Sequence, residues 1–573
     1  MYIKNVFIKN YRNFKEINVP LYPYTTIIGD NDVGKTNFFD AIKLLLNNNS
    51  IQFYSKRLAL TDINSWTVSE FRTKILGDLA RLKENIDNEA VLSSVYSYIP
   101  KITIKLTFAD AKDDYQKKLL CDWLNQDENG DIVYEIEYIF KPKNDFEFIK
   151  TMVLMLEVDE KATIPIDMYE YSIYSTNNNK SINPQKYCNF NVSIINAERD
   201  NFSENTNKMS YRLISSLLEK NLETEEKSKI SKAYNNFFDE IKELSSYKEV
   251  FKKLEDDKFE NLSEIIKHIE LIPNFPNLNT IFSNINIGYG DEFLFQKGLG
   301  KRNLILLLLL FSNYNAEGRK FNLMCIEEPE AHLSNNNLNI VLSFIEKSIS
   351  QNDGFSQTII TSHNSKTINK LKFNNVVVLK ENQAITFEKD DYLSNYLAKR
   401  PNFDVLKILF SNKVILVEGV TEEMLINTWI QLNENIINEI EVISIGQKGF
   451  RTFLNIWKKL NDNSDKKIGV VRDFDNNTKT KSEHDAYNND TTIFVRTTDG
   501  YTLEDDLVDA GDNKNILSKF FNTADPVKHM KDSKAESMFK LCESMLLPND
   551  DENKITITMP KHIEEILDGL QKK

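Results

Sequence analysis

The stretch Gly29-Asp30-Asn31-Asp32-Val33-Gly34-Lys35-Thr36 constrains this chain most, because GxxxxGK[ST] works only between a strand and a helix. Both are signalled. Tyr24-Thr25-Thr26-Ile27-Ile28 reads as a buried strand and Phe38 to Leu46 as the helix the loop opens, with the alternating Tyr2, Ile3, Val6 and Ile8 forming an earlier strand. In that setting the loop, from Gly29 and Asn31 through Gly34 to Asn37, cradles phosphates with its amides at a helix N-terminus. Lys35 reaches the outer phosphates and the Thr36 hydroxyl ligates magnesium. A plain glycine turn before a helix is the competing reading, and the full motif in its full context argues against it.

Far downstream, Leu323-Met324-Cys325-Ile326-Glu327-Glu328-Pro329-Glu330 is an apolar strand ending in carboxylates, as a magnesium-reaching Walker B strand requires. Glu327 is the expected metal-side residue and Glu328 the residue that orients water. Thr358-Ile359-Ile360-Thr361-Ser362 is a further buried strand delivering His363 near its end. A lone histidine there is commonly structural; after the two preceding motifs it reads as a γ-phosphate sensor. Lys297-Gly298-Leu299-Gly300-Lys301-Arg302-Asn303 precedes the apolar run Leu304 to Phe311, and glycines with basic residues at a helix start form an anion site. Gly298 and Gly300 are its expected nucleotide contacts.

Composition limits what such a chain can be. Its 573 residues, 41% hydrophobic, can bury substantial cores and divide into several domains. The longest apolar run, Leu304 to Phe311, falls far short of the ~20 residues that span a membrane. With no signal segment before the first strand, a cytoplasmic protein without a membrane partner is expected. The four cysteines lack CxxC spacing, so neither a disulfide framework nor a zinc site is signalled, and buried reduced thiols are expected. A net charge of -14 excludes a histone-like coating of nucleic acid but not a local basic groove, for which 71 Lys and Arg leave material.

Between about 200 and 285 the sequence turns charged and helix-favouring, with Leu213, Leu217, Leu218, Phe237, Phe238, Ile241 and Leu244 near helical spacing. An apolar helical stripe is more often a core or dimer surface than a cofactor site, so oligomerisation is the expectation. Arg199, just before this stretch, could face either the nucleotide or the insertion.

From Ser411 a second pattern begins: strands at Val414 to Val417, Glu441 to Ile445, Ile468 to Val471 and Thr492 to Arg496, with helices from Thr421 and Phe450 between them. This alternation predicts a parallel α/β sheet, whose functional groups collect at the carboxyl ends of its strands. Glu418-Gly419 follows one strand, Asp473 and Asp475 follow another, and Glu422 lies one helical turn beyond Glu418. Spaced two apart, Asp473 and Asp475 can face the same way. Four converging carboxylates repel and raise one another's pKa unless a hard cation is held among them. Magnesium or manganese is the expected ion, in a site suited to phosphodiester hydrolysis. A solvated acidic rim is the bland alternative for the two aspartates alone.

The order of motifs in the front half resembles the ABC-type ATPases of the RecF and SMC group, and the acidic pattern of the back half resembles a Toprim domain. ABC-type ATPase followed by Toprim is the arrangement of the OLD nucleases, and the resemblance covers nearly the whole chain. Within that family it is nearest to the nuclease subunits of Gabija anti-phage systems, on Leu503-Glu504-Asp505-Asp506-Leu507 and on Asp525-Pro526-Val527 followed by Ser533-Lys534.

The resemblance implies an α/β fold: an ABC/SMC-like P-loop ATPase domain with a helical insertion, then a C-terminal Toprim domain. The limits are 1–199 and 286–395 for the ATPase parts, 200–285 for the insertion and 411–573 for Toprim. It implies that ATP binds at the front, that Glu504, assisted by Thr502, joins the metal shell, and that Lys534 stabilises phosphate charge in the transition state, with Lys561 in reserve. An ordinary surface lysine is the bland reading of Lys534. DNA is the implied substrate, a homodimer or homotetramer the implied assembly, and a UvrD-like helicase subunit the implied partner. One alternative is a RecF-like repair ATPase whose back half binds DNA without cutting; a second, a topoisomerase or primase using the same metal module, is opposed by the lack of a cysteine cluster and by a front half that matches neither.

Overall fold

The computed structural model describes residues 1–571 apart from 31, 47–56, 113, 127–129, 177–188, 196–221, 253–287, 315–320, 351–355, 371–374, 381, 388–394, 398, 401–402, 434–438, 447–448, 462–463, 477 and 490. It divides into two compact units, one of Met1–Thr26 and Gly34–Ser362, the other of Ile27–Val33 and His363–Lys573.

The first unit opens with an antiparallel sheet in the order Phe14–Pro20, Tyr2–Tyr11, Ile102–Ala109, Ile132–Pro142, Leu124–Gln126, with Tyr169–Ser175 also paired to Ile132–Pro142. The period-two pattern determines its register. Val6 lies opposite Val19 and Leu106, and Ile8 opposite Ile17 and Ile104, all buried, so a slip by one residue would turn this apolar row to solvent. Three further strands, Phe190–Ile195, Phe321–Glu327 and Ser356–Thr361, are parallel, with Phe321–Glu327 in the middle. Phe321–Glu327 is buried at every position, as a parallel strand covered on both faces must be, which is why its sequence is a continuous apolar run rather than an alternation.

The insertion is described over two helices, Thr224–Glu243 and Ser245–Lys252. None of the described residues of the first is buried, and Phe237 stands exposed. Arg199, Leu213, Leu217 and Leu218 lie outside the described residues.

The second unit contains a wholly parallel four-stranded sheet in the order Ile440–Ser444, Lys413–Val417, Lys467–Arg472, Ile493–Thr497. Successive side chains alternate between its faces. Val414, Leu416, Ile468, Val470 and Val495 enter one core with Phe453 and Trp457 of the helix Phe450–Asn461, whereas Ile415, Val417, Val471 and Phe494 enter another with Leu425, Met538, Ile563 and Ile566. The sheet is thus covered on both sides, and its free chemistry is confined to the strand ends.

Two expectations need correction or limits. Cys121 is exposed, in a short turn after a surface helix, while Cys325 and Cys542 are buried and unbridged as expected; Cys188 lies outside the described residues. No helix among the described residues is long and apolar enough to cross a membrane.

Candidate active site

The acidic residues of the second unit meet at the carboxyl ends of two central strands. Glu418 follows Lys413–Val417, and Asp473 follows Lys467–Arg472. The Asp473 amide donates to Glu418 Oε1 at 3.2 Å, and Asp473 Oδ1 accepts from the Leu503 amide at 2.9 Å, at the start of the helix Leu503–Asp509. One residue on, Glu504 is 1% exposed. Its Oε2 accepts from the Thr502 hydroxyl at 2.6 Å and its Oε1 lies 3.6 Å from Lys534 Nζ. Glu418, Asp473, Glu504 and Lys534, distant in sequence, are therefore joined by short polar links.

Glu422 has a local task as well. Its Oε2 accepts from the Gly419 amide at 3.0 Å and from the Thr421 hydroxyl at 3.1 Å, closing the first turn of Val420–Leu432 as a third-position glutamate does in a capping box. It is buried beside the other carboxylates. Asp475 is placed differently from the simple expectation, because the strand ends at Arg472 and the chain turns. Asp475 has φ +49° and is exposed, its amide donating to the Tyr501 carbonyl at 3.2 Å, so strand alternation does not align it with Asp473. It still faces Glu418 closely enough to raise that residue's pKa.

The electrostatics follow from burial of like charges. Desolvation, opposed by the Asp473 amide and reinforced by Asp475 and Glu422, pushes Glu418 up to about 7. Desolvation together with Glu422, Glu418 and Glu504 pushes Asp473 up to about 8, against the hydrogen bond from Leu503. An all-oxygen, mutually repelling donor set of this kind suits a hard divalent cation. Among the described residues, no three His, Cys, Asp or Glu side chains stand at metal-binding geometry. The carboxylate oxygens are instead engaged by amides, the Thr502 hydroxyl and Lys534.

The loop that positions Thr502 and Glu504 is held from behind. Asp506 accepts from the amides of Asp499, at 2.9 Å, and Gly500, at 2.6 Å, and its Oδ2 lies 2.9 Å from Nδ1 of buried His562 on the C-terminal helix Lys561–Gln571. Although burial opposes ionisation, these partners hold Asp506 below the usual carboxylate range. Lys531 grips Asp505 through both oxygens, at 2.7 and 2.8 Å, and Lys561 lies 3.8 Å from Glu565, its neighbour one helical turn on. The Asp506–His562 pair was not legible in sequence, since a histidine in a C-terminal helix carries no local signal of its partner.

The phosphate-loop elements take their expected forms. Tyr24–Gly29 is buried throughout, and Lys35 and Thr36 begin the helix Lys35–Leu46. Gly34 has φ +99°, and a Cβ there would lie 2.5 Å from the Asn13 amide group, so two constraints demand glycine. Asn37 Nδ2 donates to Asn13 Oδ1 and its Oδ1 accepts from Arg12 Nη1, both at 2.8 Å. Arg12 also binds Asp40 and Asp62. Asn37 is thus braced by Arg12 and Asn13, which sequence reading passed over. Asn31 lies outside the described residues.

Glu327 ends its strand buried, and Glu328 has φ +42°, a strained backbone for glutamate, its amide donating to the Thr361 carbonyl at 2.9 Å. Ser362 donates to Glu330 Oε1 at 2.7 Å, giving Glu330 a role the motif alone did not assign. His363 is half-buried, two residues beyond Ser356–Thr361. At the signature-like loop, a Cβ on Gly300 would lie 2.8 Å from the His332 carbonyl oxygen, so close packing accounts for that glycine; Gly298 is exposed with open space around it.

The AAA ATPase domain family model AAA_15 matches residues 1–368, and the Overcoming lysogenization defect protein-like TOPRIM domain matches 409–475. The second match ends at Asp475, before Glu504 and Lys534. The chain is 24% identical over 484 residues to Endonuclease GajA of Bacillus cereus (strain HuB5-5), covering 74% of this chain and 67% of that protein. It is 33% identical over 96 residues to Endonuclease GajA of Bacillus cereus (strain VD045), covering 17% and 16%. An SMC head bound to the C-terminal winged helix domain of ScpA aligns over 68% of this chain and 99% of its own at 15% identity and TM-score 0.32, a likeness too slight to carry argument.

Proposed function

We propose, for a chain that belongs to the OLD-like family joining an AAA ATPase domain to a TOPRIM domain, that it is a nucleotide-regulated, divalent-metal-dependent DNA endonuclease of anti-phage defence. The observation that carries this reading is the buried linkage of Glu418, Asp473 and Glu504 at the ends of parallel strands, with Lys534 beside them. The GajA relatives are endonucleases by name, and DNA enters as the substrate on that ground.

Glu418, Asp473 and Glu504, with Glu422 and Asp475 adjoining, would hold Mg²⁺ or Mn²⁺. Such an ion supplies charge stabilisation for the attacking and leaving oxygens of a phosphodiester. The protein's own contribution is distinct. Glu418 and Asp473 hold protons near neutral pH and surrender them when a cation takes their place. Lys534, with a half-exposed side chain tied only at 3.6 Å to Glu504, can turn to a phosphate oxygen and offset the charge that builds there. Thr502 orients Glu504, and the Asp506–His562 pair keeps the loop carrying Thr502 in place.

In the ATPase half, Lys35 and Thr36 would engage the phosphates and magnesium of ATP, Glu327 the metal, and Glu328 the attacking water, with His363 sensing the γ-phosphate and Gly298 and Gly300 facing a nucleotide across an assembly. The domain limits at 199, 285, 395 and 411, a homodimer or homotetramer joined through the insertion, and a helicase-like partner belong to the same proposal.

Purified protein incubated with supercoiled DNA and Mg²⁺ or Mn²⁺, with and without ATP, beside Glu418→Ala, tests it. Metal-dependent cleavage lost in the variant is expected. Absence of cleavage by the wild type in every metal, with ATP hydrolysis intact, would overturn the nuclease reading in favour of a DNA-binding repair ATPase.

A further inference from the structure

A cleft of about 530 Å³ lies between the helix Phe450–Asn461 and the helix Thr478–Asp485 with the residues just after it, lined by Arg451, Lys458, Glu483, Tyr487, Asn488 and Asn489. The two cations project from one helix and are exposed. Among the described residues neither has a hydrogen bond or ion pair, in a chain whose net charge is -14 and whose acidic side chains offer many partners. The opposite wall is held rigid. Asn489 Oδ1 accepts from the amides of Thr491, Thr492 and Ile493, Asn488 Oδ1 accepts from the Val495 amide and Arg496, and the Tyr487 hydroxyl donates to Asn455 across the cleft at 2.8 Å.

We infer that this cleft holds the phosphodiester backbone of DNA, with Arg451 and Lys458 each engaging a phosphate. Arg451 and Lys458 are seven residues apart on one helix, a rise of about 10.5 Å. Phosphates on one strand of a duplex advance by ~3.4 Å along the axis, so the two cations match positions about three nucleotides apart. The predominantly polar lining suits a hydrated, charged polymer better than an enclosed apolar ligand. The cleft also adjoins the acidic site through the chain: the helix Thr478–Asp485, which bears Glu483, follows directly from the turn after Asp473. Arg472, preceding Asp473, reaches back to that helix through Nη1, 3.2 Å from His484 Nδ1. Glu483 is the one acidic side chain among the residues named on the cleft's lining.

The choice of DNA as the anion rests on the nuclease reading, but the test reads binding alone. Binding of the full-length chain to labelled 30-nucleotide duplex and single-stranded DNA is followed by anisotropy in Ca²⁺ across a salt series. For Arg451→Ala with Lys458→Ala, the slope of log K against log salt is expected to flatten by ~1.8 on duplex or ~1.4 on single strand, and the form on which it flattens identifies the bound backbone. Glu483→Lys, which adds a cation to the other wall, is expected to steepen the slope by about 0.9 on duplex, a gain that misfolding cannot produce. Unchanged slopes on both DNAs, or no DNA binding by the wild type, would overturn the inference. A chain that cuts nothing yet shows these slope changes defeats the nuclease reading and leaves the cleft standing; one that cuts while the double variant keeps its slopes defeats the cleft alone.

Discussion

Both halves of the molecule place carboxylates at the ends of buried parallel strands, yet they secure them by opposite means. At Glu327 and Glu328 the strand itself does the work: one acidic residue ends it, the next bends into positive φ, and the Thr361 carbonyl of the neighbouring segment holds the bend. At Glu418 and Asp473 no single segment suffices: the Glu418 carboxylate is held by the Asp473 amide, and the Asp473 carboxylate by a helix start 30 residues downstream. A motif confined to one strand can be read and built locally. A site assembled from several strand ends buries carboxylates beside one another, and the cost, desolvation first and like charge second, appears as the raised pKa of Glu418 and Asp473.

The sharpest way to break this comparison is Glu418→Ala or Asp473→Ala. Each is expected to lower metal-dependent DNA cleavage by more than about 100-fold while ATP binding persists; equal loss of both activities would mean the two sites are not separable. Next in size, Lys534→Ala is expected to slow cleavage by about 100-fold at saturating metal, with little change in metal affinity measured by titration. Lys35→Ala should abolish ATP binding, measured by equilibrium dialysis, and with it any response of cleavage to nucleotide.

The burial of these carboxylates, with their mutual repulsion, gives a pH test. The folded-state pKa of Glu418 and Asp473 is raised above the ordinary values of about 4.3 and 3.9, so their protonation favours the folded chain at low pH. That stabilisation is full below about pH 4 and is lost as pH rises through about 7 and 8. With chelator present, their contribution to Tm should therefore fall between about pH 5 and 8.5, and Asp473→Asn should flatten the decline. Mn²⁺ should reverse it at the upper end, because the ion replaces the protons. The smallest effect expected is from Asp506→Ala, which removes amide and histidine contacts behind the site and should cost about 2 kcal/mol in urea unfolding, with a partial loss of cleavage.

Much of the site was legible. Glu418 and Asp473 announce themselves because each follows an apolar strand, and strand ends in a parallel sheet share one edge; Glu504 entered only through the resemblance carried by Leu503 to Leu507. Asp475 shows the limit of that logic: its spacing suggested shared direction with Asp473, but the strand had already ended, and a left-handed turn carried it to the surface. Glu422 was expected as a ligand and is found also closing a helix turn, a use that spacing from Glu418 does not distinguish.

By itself, the order of apolar runs, glycines and terminal acids determined the phosphate loop, the parallel strands and the family, because these depend on patterns a few residues long. Only the tertiary structure decided that Arg12 and Asn13 brace Asn37, that His562 supports the loop behind Glu504, and that Arg451 and Lys458 share an unpaired cleft. Those relations join residues from separate segments, and their energies come from burial and charge at distances that exist only after the chain has folded.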